Sequence, residues 1–130
     1  MVKKLVAVFS LAVLLGLLAG CQVQSAPTGS GGNTVTMGAT TYTSGNTITI
    51  KKGETITFTD DKNNGSPHIL VIGVDGAKKL EAGAPDFGTN GMSFQAGESK
   101  TTSPWMTPGT YHVTCTVHPT TMNLTVTVTA

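Results

Sequence analysis

Apolar and polar residues alternate along much of the chain after residue 34, and this period of two predicts β-strands. The alternation is strict at residues 47–50 and again at residues 55–59, with a Lys-Lys-Gly-Glu turn at residues 51–54. Val35 and Met37 indicate an earlier strand. Residues 69–72, Ile-Leu-Val-Ile, form a short β-branched apolar run that is typical of a strand buried on both faces.

The last two strands have the clearest pattern. Before the loop at residues 116–121, the inward-facing positions are Tyr111, Val113 and Cys115, and the outward-facing ones are His112 and Thr114. After it, the inward set is Met122, Leu124, Val126 and Val128, and the solvent-facing set is Asn123, Thr125, Thr127 and Thr129. Cys115 and Met122 therefore end two inward-facing stripes at the same end of the fold.

The middle of the chain, residues 75–97, is a long connection that we expect to cross from one sheet to the other. Residues 78–82 could form a helical turn, but Gly83 and Pro85 prevent a longer helix. Short strands are expected near residues 92–95 and 98–103. Many short strands separated by glycine and asparagine turns predict an all-β protein, an antiparallel β-sandwich or barrel.

The first 20 residues have the pattern of an export signal. Lys3 and Lys4 precede an apolar run that is too short to span a membrane comfortably. The next residues, Leu18-Ala19-Gly20-Cys21, resemble a bacterial lipobox, which implies cleavage before Cys21 and lipidation of its sulfur. The alternatives are an uncleaved anchor helix or an ordinary secretory signal. We therefore expect an extracytoplasmic protein, on the periplasmic or outer face of a membrane and held there by its lipid.

Three segments follow from this interpretation. Residues 1–20 are the signal peptide, residues 21–34 are the lipidated cysteine and a flexible linker, and residues 35–130 are the folded domain. The linker is rich in Gln, Ser, Pro, Thr and Gly, and random-coil scaling gives it a reach of roughly 20 Å. That length keeps the domain near the membrane and leaves it free to turn towards partners.

Charge excludes some partners. The chain has eight Lys plus Arg and seven Asp plus Glu, and removal of Lys3 and Lys4 leaves six against seven. A domain so close to neutrality has no broad basic face for nucleic acid. We expect a monomer that meets partner proteins through a small apolar patch.

One cysteine needs an explanation. Since Cys21 is assigned to lipid, Cys115 is an unpaired thiol in an exported protein. His118 and Met122 follow within the same loop, and thiolate, imidazole and thioether are ligands that select copper. The second imidazole of such a site is His68 or His112, and parity directs His112 outward. Taken singly, each of these residues is as well explained by packing or by an ordinary surface position, whereas their combination indicates a metal site.

Residues 35–130 resemble the cupredoxins of the plastocyanin, amicyanin and auracyanin kind. The matching motifs are Asn-Asn-Gly-Ser-Pro-His at residues 63–68, Pro-Gly-Thr-Tyr-His-Val-Thr-Cys at 108–115 and Cys-Thr-Val-His-Pro-Thr-Thr-Met at 115–122. The resemblance implies an eight-stranded Greek-key β-sandwich and one type 1 copper that cycles between Cu(II) and Cu(I). It implies as ligands His68, Cys115, His118 and Met122. It also places Tyr111 at the tyrosine corner of such sandwiches.

The sequence departs from the family in three places. Thr114 stands where plastocyanin has a tyrosine near a second, acidic docking area, so that docking route is not inferred. The gap from Cys115 to His118 is plastocyanin-like, whereas the gap from His118 to Met122 is azurin-like. Ile69 stands where many members have an asparagine that braces the copper loop, so that side-chain brace is absent, although the backbone amide of Ile69 could still reach the thiolate sulfur. The ring of His68 is expected to be fixed by a separate backbone clamp.

The expected function is electron transfer between extracytoplasmic redox partners, such as a cytochrome or an oxidase or reductase complex, and not enzymatic catalysis. The resemblance implies that the ring edge of His118 reaches the surface among apolar residues. Pro119 is expected to belong to that patch, with Trp105, Met106, Pro85 and Phe87 as further members. Two alternatives remain at this point: a copper trafficking or storage protein, and a metal-free β-sandwich adhesion module.

Overall fold

The computed structural model describes residues 32–130. The predicted signal peptide, Cys21 and almost all of the predicted linker lie outside the described residues. Within them the chain forms strands and no helix, as the alternating pattern predicts. The nine strands are β1 Thr34–Met37, β2 Thr47–Lys51, β3 Thr57–Asp60, β4 His68–Val74, β5 Ala77–Lys78, β6 Met92–Phe94, β7 Ser99–Thr101, β8 Gly109–Cys115 and β9 Asn123–Thr129.

The strands form two sheets. The smaller has the order β1-β3-β7, and the larger has the order β2-β9-β8-β4-β5, with β6 also paired to β4. Most neighbours are antiparallel, but β1 pairs with β3 and β2 pairs with β9 in parallel. The expectation of a wholly antiparallel sandwich is therefore wrong in two places. The cause is the turn at residues 51–54, which carries the chain from one sheet to the other, so that β2 and β3 do not form a hairpin.

The inward stripes of β8 and β9 are confirmed, because all of their members are buried. They pack against the inner face of the smaller sheet, where Phe58 of β3 is fully buried. The Tyr111 hydroxyl donates a hydrogen bond to the carbonyl of Thr107 at 2.8 Å, which is the contact expected of a tyrosine corner. The buried cluster comprises Val35, Met37, Tyr42, Ile50, Ile56, Phe58, Leu70, Ile72, Phe87, Phe94, Trp105, Tyr111, Val113, Cys115, Met122, Leu124, Val126 and Val128.

Two expectations about loops are wrong. Residues 78–82 contain no helical turn, because Lys78 ends the short strand β5 and the chain then runs extended into the turn at Gly83. Trp105 is fully buried beside Tyr111, with ring centroids 5.4 Å apart, and its carbonyl accepts a hydrogen bond from Gly53. It therefore lies near the start of β8, at the other end of that strand from Cys115, and does not join a patch around His118.

Candidate metal centre

The ends of β4 and β8 bring together residues that are far apart in sequence. His68 is the first residue of β4 and Cys115 is the last residue of β8. The two strands are antiparallel, and Leu70 pairs with Cys115. His68 consequently lies beyond Cys115, level with the loop that follows β8. That loop carries His118.

The three side chains form one compact cluster. The Nδ1 atom of His68 lies 3.6 Å from the Sγ atom of Cys115. The rings of His68 and His118 approach edge to face, with centroids 5.2 Å apart. One potential ligand atom from each of the three residues lies within 4.8 Å of the others. A thiol and two imidazoles at this spacing are a donor set suited to copper.

The loop from Cys115 to Met122 closes through its own backbone. The amide of Cys115 donates to the carbonyl of Met122 at 3.0 Å, and the amide of Met122 donates to the carbonyl of His118 at 3.0 Å. The amide of Thr121 donates to that same carbonyl at 3.3 Å. Met122 is fully buried directly before β9. The loop thus places a thioether residue next to the cluster at the end of the inward stripe of β9.

The orientation of His68 is fixed by the smaller sheet. Its Nε2 atom lies 2.9 Å from the carbonyl oxygen of Gly38, just after β1. Because a carbonyl can only accept, Nε2 carries the proton, and the lone pair of Nδ1 faces the sulfur of Cys115. This is the usual arrangement of a metal-binding histidine, whose other ring nitrogen donates to a carbonyl or carboxylate. The expected backbone clamp on His68 is therefore present.

His118 has an unused ring nitrogen. Its Nδ1 atom is buried and has no hydrogen-bond partner. Burial lowers the pKa of His118, and the neighbouring His68 lowers it further. A ring nitrogen that is buried beside a thiol without a hydrogen-bond partner is costly, and coordination to a metal ion would satisfy it. The residues present therefore fit a copper ion.

The sequence analysis missed a buried acid beside His68. Asp60 at the end of β3 is fully buried, and its Oδ1 atom lies 3.6 Å from Nε2 of His68. Burial raises the pKa of Asp60, whereas the nearby His68 acts in the opposite direction. The signal was available, because Asp60 has the same parity as the buried Ile56 and Phe58. A Cβ at Gly65 would lie 2.3 Å from Oδ1 of Asp60, so this position needs glycine.

Tyr42 is a second buried polar residue that the sequence did not associate with the site. Its hydroxyl has no hydrogen-bond partner. Burial raises its pKa well above the usual range, and the proximity of Cys115 acts in the same direction. The phenol therefore stays neutral and packs as part of the wall around the thiol.

His112 and Thr114, the two positions of β8 that were predicted to face outward, differ in burial. His112 points away from the cluster, as predicted, and its Nδ1 atom lies 2.9 Å from Oε1 of Glu81. The amide of His112 donates to Oε2 of the same carboxylate at 2.7 Å. Thr114 also points outward, but it is fully buried, because the turn between β4 and β5 covers it.

A sequence model of copper binding proteins of the plastocyanin/azurin family matches residues 30–129. No curated protein matches the chain in sequence.

Solved structures show the same fold. A reduced proline-to-phenylalanine variant of amicyanin superposes with a TM-score of 0.55 at 21% identity, over 75% of this chain and 82% of that one. An oxidized proline-to-glycine variant of amicyanin gives a TM-score of 0.55 at 19% identity, over 79% and 87% of the two chains. A reduced Cu(I) form of another amicyanin variant, at pH 4, gives 0.56 at 19% identity, over 75% and 82%.

Proposed function

Because the chain belongs to the plastocyanin/azurin family of copper-binding proteins, we propose that it is a membrane-tethered electron carrier between extracytoplasmic redox partners. Membership of this family makes it a blue copper electron-transfer protein with one type 1 copper. The tether, the compartment and the partners are the parts that we add. The observation that carries the copper function is the cluster of His68, Cys115 and His118, whose potential ligand atoms lie within 4.8 Å of one another at one end of the sandwich.

The proposed ligands are the four residues of the sequence analysis. His68 and His118 offer ring nitrogens, Cys115 offers a thiolate, and Met122 offers an axial thioether. Bound copper supplies a one-electron couple between Cu(II) and Cu(I). Three of these residues are fully buried, which excludes water from the centre.

The chain's contribution to electron transfer is to hold the ligands still. His68 is fixed by the carbonyl of Gly38, and Cys115 is fixed by the ladder with β4. His118 and Met122 are linked by the backbone of their loop. A ligand set that is already assembled has little to rearrange when the oxidation state changes, and small rearrangement favours fast electron exchange.

His118 is the proposed exit point for the electron. It is only partly buried, and Val117 next to it has 46% of its surface exposed. Pro119 follows on the other side. A small apolar surface at this point suits brief encounters, since transient redox complexes use little interface area. The nearly neutral charge of the domain is in keeping with weak long-range steering.

The tether is supported by the sequence alone. We propose that the chain is cleaved before Cys21 and that this cysteine carries the lipid. Acyl chains contribute about 0.8 kcal/mol per buried methylene, so two or more give stable attachment. The prediction is tested by mass spectrometry of the amino terminus and by fractionation. The amino terminus should be Cys21 and should carry the lipid mass, and an amino terminus at Cys21 without that mass would contradict lipid anchoring.

The copper function is tested with the full chain purified in detergent. Titration with Cu(II) should give one equivalent of binding, an intense visible charge-transfer band and narrow copper hyperfine splitting in electron paramagnetic resonance. Cys115→Ser should abolish the band. Cys21→Ser is the matched control, because it also replaces a cysteine by serine but lies outside the domain, and it should keep the band unchanged.

Other outcomes identify other functions. Tight, colourless Cu(I) binding that resists oxidation would favour trafficking or storage. Absence of stoichiometric copper binding would leave the adhesion module. Electron exchange with purified cytochromes and oxidase complexes, measured by stopped-flow absorption, then identifies the partner class.

A further inference from the structure

The turn between β4 and β5 folds back over the outer face of the larger sheet. Gly73 has a φ of 137°, and a Cβ there would lie 2.0 Å from the carbonyl oxygen of Ala77. Asp75 and Gly76 have φ values of 50° and 74°, which is the left-handed pair found in two-residue hairpin turns. The chain therefore bends sharply out of β4 and returns as a narrow hairpin. We call residues 74–77 the outer hairpin.

The tip of the outer hairpin touches both strands that flank the ligand loop. The amide of Gly76 donates to Oγ1 of Thr114 in β8 at 2.8 Å. The amide of Asp75 donates to Oδ1 of Asn123 in β9 at 2.8 Å. A Cβ at Gly76 would lie 2.5 Å from Cβ of Pro119, so the glycine backbone lies directly against the proline next to His118.

Asn123 joins the outer hairpin to the ligand loop. While its Oδ1 atom accepts from Asp75, its Nδ2 atom donates to the carbonyl of Pro119 at 2.8 Å. One planar amide thus binds two segments at once, and both ends of it are satisfied. Asn123 follows Met122 directly and has the opposite parity, so it lies outside the sheet while Met122 lies inside.

The loop has one other side-chain tether on its far side. The hydroxyl of Thr121 donates to the carbonyl of Thr40. That bond fixes the second half of the loop, near Met122. Within residues 32–130, the side-chain hydrogen bond to the half that contains His118 and Pro119 comes from Asn123.

We propose that Asn123 is a positioning residue that holds His118 through the carbonyl of Pro119, with the outer hairpin as its support. It is not one of the proposed copper ligands; its role is to limit the movement of the ligand loop. This inference rests on the copper function proposed above. It predicts that loss of the Nδ2 donor loosens residues 118–121 and slows electron exchange, because His118 then moves more between oxidation states.

The test uses Asn123→Asp and Asn123→Ala in the full chain. Asn123→Asp keeps an oxygen that can accept from the amide of Asp75, loses the donor to Pro119 and adds a negative charge. Asn123→Ala loses both bonds. The matched control is Thr125→Ala, two residues further along the same outward face of β9.

The first measurement is hydrogen exchange in the metal-free protein. The amides of Thr121 and Met122, which donate to the carbonyl of His118, should exchange about two- to tenfold faster in both variants at position 123, the range set by one net hydrogen bond. Amides in the middle of β8 should keep their protection, which separates local loosening from global destabilisation. Thr125→Ala should match the native protein at all of these positions.

The second measurement is electron self-exchange of the copper-loaded protein by NMR line broadening. Both variants should be several-fold slower than the native protein, with an altered paramagnetic resonance spectrum. Native exchange rates together with native loop protection in Asn123→Asp would overturn the inference. A chain that binds no copper would refute the proposed function. The hydrogen-exchange measurement on the metal-free protein would still show whether Asn123 holds the ligand loop.

Discussion

Gly76→Ala tests whether the outer hairpin presses on the ligand loop. Two costs apply to this substitution. A residue with a Cβ in a left-handed conformation costs roughly 1–2 kcal/mol. In addition, the new methyl group would meet Cβ of Pro119 at 2.5 Å, about 1 Å inside ordinary contact, and overpacking of this kind costs about 1–3 kcal/mol. The expected loss is therefore about 2–5 kcal/mol in the free energy of unfolding.

Gly53→Ala is the matched control for the backbone cost. Gly53 has a φ of 88°, close to the 74° of Gly76, but a Cβ there has nothing within 4 Å. It lies in the turn between β2 and β3, beside Trp105 and away from the ligand loop. Its substitution should cost only the left-handed strain, roughly 1–2 kcal/mol.

The assay is urea unfolding of the metal-free forms of the native protein and both variants, followed by tryptophan fluorescence and compared through ΔG and m-values. The copper-loaded forms are then compared by visible absorption. Gly76→Ala should be the less stable variant and should alter the absorption band, whereas Gly53→Ala should leave the band unchanged. The contact between the outer hairpin and Pro119 would be refuted if the two variants were equally stable within about 0.5 kcal/mol and both had the absorption spectrum of the native protein.

Three further predictions concern other parts of the chain. Met122→Leu keeps the apolar volume, so the metal-free protein should lose less than about 1.5 kcal/mol, while the copper spectrum and reduction potential should change; an unchanged spectrum would show that Met122 only packs. Val117→Lys should slow electron exchange with a protein partner about tenfold, equivalent to about 1.4 kcal/mol. The control Leu80→Lys, at a position that is 83% exposed, should not slow it, and equal rates for the two variants would place the docking surface elsewhere. Hydrogen bonds from the Lys51 amide and from Asn33 lower the pKa of Glu54. The ionised carboxylate therefore stabilises the fold fully above the usual carboxyl pKa, and this contribution is lost as the pH falls through the lowered pKa of Glu54. Glu54→Gln should reduce the fall in Tm over that pH range, and a pH profile identical to that of the native protein would contradict this.

The predicted patch around His118 is only partly supported. Val117 and His118 are accessible, but Trp105 is buried at the other end of β8 and Phe87 packs edge-on against Phe58, with centroids 6.2 Å apart. Met106 is exposed, yet it follows Trp105 along the chain. An apolar residue in a loop belongs to no periodic pattern that shows where its side chain points. The sequence therefore could not assign these side chains to one end of the fold.

Local pattern was enough for the strands and for most of the site. The alternation in β8 and β9 set the direction of Cys115 and Met122, because successive side chains of a strand point to opposite faces. The choice between His68 and His112 also followed from parity. The unpaired thiol and the Pro-His turn are similarly readable within a few residues of one another, whereas the tyrosine corner at Tyr111 came from the resemblance to the cupredoxins.

Contacts between distant segments were decided by the tertiary structure. The sequence could not show that Gly38 fixes His68, that Asp60 lies beside the same ring, or that Asn123 and Asp75 share a hydrogen bond across 48 positions. Nor could it show that the outward-facing Thr114 is buried, since its cover comes from a hairpin of another strand. Strand periodicity is a property of neighbouring residues, whereas the environment of a side chain depends on which segments the sheets bring against it, and that is fixed only when the whole chain has folded.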